Sequence, residues 1–195
     1  MRQVFFVTHP EVTIDPESPV PQWGLSQQGR MRMAAFCAHP FIASIAHVFS
    51  SEETKAAEAA LILSTRLGLP ARKLVGLGEN DRSSTGFMPR EEFEAAADQF
   101  FAFPDRSYLG WETAAAAQRR IVKAVELALR LAPLGNIAIV SHGAVGALLK
   151  CHLKRIPITR AEDQRRQGNY FIFDEASSNL LVDWTPVDQL ANRLD

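Results

Sequence analysis

The chain has 195 residues, is 47% hydrophobic and 22% charged, and carries a formal net charge of −1. That is the make-up of a globular protein with a sizeable core, in one domain or one domain with an insertion. No overall basic field points to nucleic acid or an anionic lipid surface, and no stretch approaches the ~20 apolar residues of a membrane span.

The chain alternates short apolar runs with helical patterns, which predicts an α/β fold. Residues 4–7 are a continuous apolar run of strand length, too short for a signal peptide and with no small-residue cleavage site after it. Cys37 and Cys151 stand outside any CxxC pair or metal-ligand spacing. Two buried free thiols in a reducing cytoplasm are expected rather than one disulfide. After a segment with prolines at 10, 16, 19 and 21, Ser26 is placed to cap a helix reaching about residue 38. Residues 46–49 predict a second strand. Ser50 and Glu53 have the spacing of a capping box that opens a helix to about residue 67, where Gly68 and Pro70 end it.

Residues 73–77 predict a third strand, and 78–88 a polar loop. Pro89 suits the first turn of a helix to about 101. A long helix over 111–131 has Ile121, Val125 and Ala128 at helical spacing. A fully apolar strand at 137–140 leads into Ser141-His142-Gly143 and a helix to about 153. Strands near 170–173 and 180–184 close the chain. The piece from about 79 to 110 reads as a cap-like insertion on a single domain spanning 1–195. Its Phe87, Phe93, Phe100 and Phe101, with Trp111 just beyond, belong either to the core or to a pocket wall.

Four predicted strand ends carry chemistry. The first runs into Thr8-His9-Pro10, the second into Ser50-Ser51, the third into Gly78-Glu79 and the fourth into Ser141-His142-Gly143. Ligands of open α/β sheets bind at the carboxyl ends of strands. If these strands are parallel neighbours, His9, Lys55, Glu79 and His142 gather at one edge. Folding alone does not require two histidines there, whereas His39, His47 and His152 read as structural. The helices after Ser50 and after Gly143 would present free N–H groups to the same edge, which suits an anion. Gly143 would let the backbone approach a ligand closely. An imidazole can attack phosphorus, and a carboxylic acid can protonate the leaving oxygen.

At these residues the chain resembles the histidine phosphatase (phosphoglycerate mutase-like) superfamily. Val7-Thr8-His9-Pro10 stands where that family has a strand and Arg-His-Gly. Leu25-Ser26-Gln27-Gln28-Gly29 matches its Leu-Ser/Thr-x-x-Gly. Residues 50–60 resemble its Ser-Ser-x-x-x-Arg-Ala-x-x-Thr-Ala, with Lys55 at the arginine. Glu79 corresponds to its acidic loop residue. Val140-Ser141-His142-Gly143 matches fully, and residues 168–173 resemble a late glycine and aromatic strand.

The resemblance implies a three-layer α/β/α sandwich with a mostly parallel central sheet. It also implies phosphohistidine chemistry on a small phosphorylated molecule, with no metal and no organic cofactor. By the same carry-over His9 is the nucleophile and Glu79 the proton donor. His142 stabilises the phosphoryl group, and Lys55, Thr8 and Gly143 bind phosphate. Thr8, Pro10 and Lys55 depart from the family pattern. Arginine grips phosphate bidentately, lysine gives a point charge and threonine only a hydroxyl. Arg82, Arg30 and Arg32 are candidates for the missing charge.

The expected activity is phosphomonoester hydrolysis in the cytoplasm, with no nucleic-acid or membrane partner; the sequence leaves the oligomeric state open. A mutase is less favoured, because re-donating the phosphoryl group needs a firm grip. The alternative is a catalytically weakened member that binds a phosphorylated ligand or a protein. A metal hydrolase is a third reading, with ligands on separate loops and no HxxxH or HxH pair.

Overall fold

The computed structural model describes residues 2–190. Six strands form one sheet: β1 (Gln3–Thr8), β2 (Ile45–Ser50), β3 (Ala71–Lys73), β4 (Asn136–Ser141), β5 (Asn169–Asp174) and β6 (Leu180–Pro186). Their spatial order is β3-β2-β4-β1-β5-β6. The first four in that order run parallel, and β5 is antiparallel to both its neighbours.

The helices are α1 (Gln27–Phe36), α2 (Thr54–Leu67), α3 (Arg90–Ala102), α4 (Ala114–Leu131) and α5 (Gly143–Lys154). Side chains alternate across a strand, so β1 feeds two cores. Val4 and Phe6 join Ile121, Val125, Val145 and Leu148 of α4 and α5. Phe5 and Val7 join Met33, Phe36, Ala59 and Leu63 of α1 and α2. Helices therefore cover both faces, giving three layers, and the central strands read as unbroken apolar runs for that reason. The expected α/β/α sandwich with its mostly parallel sheet is what the chain adopts.

Local chemistry explains the matched motifs. Ser26 caps α1 by accepting the Gly29 N–H at 3.1 Å. A Cβ on Gly29 would lie 2.1 Å from the Glu11 carbonyl oxygen, so only glycine lets α1 seat there. In α4 the stripe Ile121, Val125 and Ala128 is buried. Phe100, Phe101 and Trp111 are core residues and Phe93 packs against them, whereas Phe87 is 40% exposed beside Trp23.

Two expectations are corrected. The strand predicted at 73–77 is only the short edge strand β3, and Val75–Leu77 is a 3-10 turn. The Arg120 guanidinium takes the Gly76 and Gly78 carbonyls at 2.9 and 2.8 Å, which turns the backbone away from the sheet. The Ser50–Glu53 capping box does not form either. Ser50 ends β2 with its hydroxyl buried and unpartnered, and Glu53 sits at the N-cap of α2 with no side-chain cap bond. Its carboxylate is drawn elsewhere, as described below.

Among the described residues both cysteines are unpaired and buried, and no helix is long and apolar enough to cross a membrane.

Candidate active site

β1, β4 and β2 lie side by side and parallel, so their carboxyl ends meet at one edge of the sheet. Two hydrogen bonds continue this alignment past the strand ends. The His9 N–H donates to the Ser141 carbonyl at 3.2 Å, and the Ser51 N–H donates to the Val140 carbonyl at 3.0 Å. The result brings His9 against His142, with ring centroids 5.2 Å apart and nearly edge to face.

His9 is 8% exposed. Its Nδ1 lies 2.9 Å from its neighbour's Pro10 carbonyl, an acceptor, so the proton sits on Nδ1 and the Nε2 lone pair is free. Burial, then the nearby Lys55 charge, push its pKa down to about 4, against the pull of the Pro10 bond and Glu53. The ring is a neutral imidazole at physiological pH. His142 is fully buried at the N-cap of α5. Burial holds its pKa well below the usual range, against the pull of Glu53.

Glu79 reaches this edge by a chain of anchors. The Ser141 hydroxyl donates to the Leu77 carbonyl at 2.7 Å, fixing the turn beside β4. Arg120 also donates to the Glu79 carbonyl at 3.0 Å and is itself paired with Glu112 at 2.7 Å. The Glu79 carboxyl caps α5, accepting from the Val145 N–H at 3.1 Å and the Ala144 N–H at 3.3 Å. Burial, followed by the negative charge of Glu53, raises its pKa despite these amide donors. A carboxyl with a raised pKa at the same sheet edge as a neutral imidazole is a combination that general acid and nucleophile chemistry can use.

Of the three residues expected to bind phosphate, Thr8 and Lys55 are engaged within the protein and Gly143 faces a neighbouring side chain. Thr8 is fully buried, and its hydroxyl donates to Gln164 Oε1 at 2.7 Å while accepting the Asn169 N–H at 2.9 Å. Lys55 is 4% exposed and donates to the Val20 carbonyl at 3.0 Å and to Glu53 Oε2 at 2.5 Å. A Cβ on Gly143 would meet Gln164 Nε2 at 2.4 Å, so an amide side chain, not open space, faces that glycine. The Ala144 and Val145 amides in the first turn of α5 are taken by Glu79.

Of the three candidate arginines, the fold removes two. Arg30 pairs with Glu58 at 2.8 Å, and Arg32 pairs with Glu11 and Asp188 at 2.7 and 2.9 Å. Arg82 instead lies where its charge is felt by both histidines, Glu53 and Glu79. Its guanidinium stacks 4.7 Å over the Phe93 ring, and no ion pair to it is found among the described residues.

Glu53 is the residue that sequence reasoning passed over, reading it as a helix cap. Oε1 lies 3.3 Å from His142 Nε2, off the line of a hydrogen bond, and accepts the Glu79 N–H at 2.8 Å. Burial opposes its charge, but His142, Lys55 and the Glu79 N–H outweigh it and lower the pKa to about 2. Its signal in the sequence was its place, just after a strand end and two residues before Lys55. Gln164 had no such signal. Among the described residues no group of three His, Cys, Asp or Glu side chains is arranged to hold a metal ion.

Comparison with solved structures finds the same architecture. A mycobacterial glucosyl-3-phosphoglycerate phosphatase, solved with inorganic phosphate, aligns with a TM-score of 0.80 at 17% identity, covering 97% of this chain and 100% of its own. YhfR from Bacillus stearothermophilus aligns at 0.79 and 19% identity, over 93% and 95% of the two chains. A phosphoserine phosphatase from Entamoeba histolytica aligns at 0.75 and 14% identity, over 96% and 98%. A search of the curated proteins finds no match. The family model of the histidine phosphatase superfamily, branch 1, matches residues 6–172, from the strand before His9 through the one that begins at Asn169. The chain therefore belongs to the histidine phosphatase superfamily.

Proposed function

We propose that this protein is a phosphatase that hydrolyses a small phosphomonoester through a phosphohistidine on His9. The observation that carries this reading is the buried His9–His142 pair with Glu79, its pKa raised by burial, held at the start of the helix that His142 caps. His9 Nε2 attacks phosphorus, and Glu79 gives its proton to the leaving oxygen. Water then attacks the phosphohistidine, returning the proton to Glu79 and releasing phosphate. His142 and Arg82 offset charge on the transferring group, Arg82 supplying charge that Thr8 lacks. Thr8 acts through Gln164 and Asn169 as a positioning residue. The 79–110 segment, which supplies Glu79 and Arg82, serves as the cap. Relatives named for phosphorylated small molecules, a glucosyl-3-phosphoglycerate and phosphoserine among them, support that substrate class.

The internal partners of Thr8 and Lys55 weaken the phosphate grip and so favour hydrolysis over mutase chemistry, which must retain a phosphoryl group. The same observation keeps the second reading, a weakened member that binds a phosphorylated ligand or protein, as the rival. Quenching with labelled substrate under alkaline conditions tests the two. An acid-labile phosphoenzyme in the wild type that is lost in His9→Ala is expected. Its persistence in His9→Ala removes His9 as nucleophile, and the absence of turnover with any phosphate ester favours the binding role.

A further inference from the structure

Glu53 is the feature that the proposed mechanism leaves unused. An ionised carboxylate beside the imidazoles of a phosphate site is costly, since it repels the anion that the site would bind. Yet both of its oxygens are built in. Oε1 accepts the Glu79 N–H at 2.8 Å and lies 3.3 Å from His142 Nε2, while Oε2 accepts from Lys55 Nζ at 2.5 Å. A cation, an imidazole edge and a backbone amide are the donors that a phosphoryl group would use. The Glu53 side chain is 16% exposed, and as an N-cap it is not packed into the body of α2.

We propose that Glu53 is a specificity-determining residue whose carboxylate occupies the seat of a phosphoryl oxygen, so that a phosphorylated substrate binds by taking over Lys55, His142 and the Glu79 N–H from it. The inference rests on the phosphatase reading. It gives one departure from the family pattern, lysine at position 55, a physical sense. With its lysine already neutralised, the site holds free inorganic phosphate weakly. An ester must add binding energy from its alcohol portion to displace the carboxylate, and the product phosphate is then expelled as Glu53 returns. The accepted class is thus phosphomonoesters with a sizeable alcohol portion, held above the site, rather than small phosphate anions.

The test measures dissociation constants for inorganic phosphate and vanadate in wild type, Glu53→Gln and Glu53→Ala. Removing the internal anion should tighten both by about tenfold or more. Unchanged or weaker binding in folded variants overturns the inference, because Glu53 would then only orient Lys55 and His142. A measurement on the wild type stands independently of variant folding. The Glu79 backbone amide should show a large NMR shift on saturation with vanadate, as its acceptor changes; an unmoved amide in a vanadate-bound protein also overturns the exchange. Failure of the wider reading looks different. A wild type that hydrolyses no phosphate ester and binds neither anion removes the phosphatase function and this inference together, whereas good turnover with weaker binding by Glu53→Gln removes this inference alone.

Discussion

The Glu79 backbone N–H donates to Glu53 Oε1 at 2.8 Å, and the side-chain carboxyls of these two residues are shifted in opposite directions. Burial and the Glu53 charge raise Glu79, while His142 and Lys55 lower Glu53 to about 2 against its own burial. Burial thereby biases Glu79 towards its protonated form, while the neighbours of Glu53 keep that carboxylate charged.

A pH profile follows. His9 stays neutral down to about 4, so the acid limb of kcat/KM should centre near 4 and not near 6.5. The alkaline limb reports loss of the Glu79 proton, above the ordinary carboxylate range. An acid limb at 6.5 would mean that His9 is not held neutral by burial.

Glu79→Gln should slow alkyl phosphates by roughly 10²–10⁴-fold and activated aryl phosphates far less, because only poor leaving groups need the proton. Asp81→Asn should stay near wild type. The Asp81 carboxyl turns to the Ser83 N–H at 2.9 Å, which lowers its pKa and leaves it no proton to give. Equal losses on both ester types would move the acid role away from Glu79.

Arg82→Met should raise KM by roughly ten- to a hundredfold, the worth of a charge-assisted hydrogen bond. Arg32→Met should instead lower the melting temperature with KM unchanged, since Arg32 ties α1 to Asp188 and to the Gly168 carbonyl. Steady-state kinetics beside thermal melts separates the two.

Thr8→Arg, a return to the family residue, should not tighten phosphate binding. The larger side chain must enter a fully buried site and break the bonds to Gln164 and Asn169. A loss of about 1–3 kcal/mol of stability is expected from overpacking. Denaturant titration with vanadate binding on the same variant checks both parts.

Stability should fall as pH drops from 6.5 towards 4. In that window the unfolded chain protonates His9 while the folded chain does not, so the unfolded state takes up the proton. The His9 share is roughly 3 kcal/mol at most. Glu53, with its lowered pKa, adds loss as pH falls further from 4.5 towards about 2. Glu79, with its raised pKa, works the other way and costs stability as pH rises past the ordinary carboxylate range. His142, whose pKa is also lowered, adds to the same slope, so His9→Gln should reduce the 6.5-to-4 slope in chemical denaturation without abolishing it.

The fold was legible because the central strands are apolar on both faces and end in short motifs with local causes, such as Ser26 with Gly29. The histidine pair was legible for the same reason: each residue follows a buried strand. The grip was not. Whether Lys55 meets a ligand depends on Val20, and whether Thr8 does depends on Gln164, which is 156 residues away. Arg30, Arg32 and Arg82 look alike in sequence and differ only in the acids that the fold brings to the first two. Glu53 was misread because spacing three from a serine suggests a capping box, while its partners are Lys55, His142 before α5 and the Glu79 N–H.

The strand order has a consequence for synthesis on the ribosome. β1, the first strand made, lies between β4 and β5, so His9 is translated more than a hundred residues before the strands that flank it. A nascent chain released before residue 169 would carry every candidate catalytic side chain and still lack the neighbour that holds Thr8 and β1 in register. The site is thus among the last things the chain completes, and its closure waits on slow, long-range pairing.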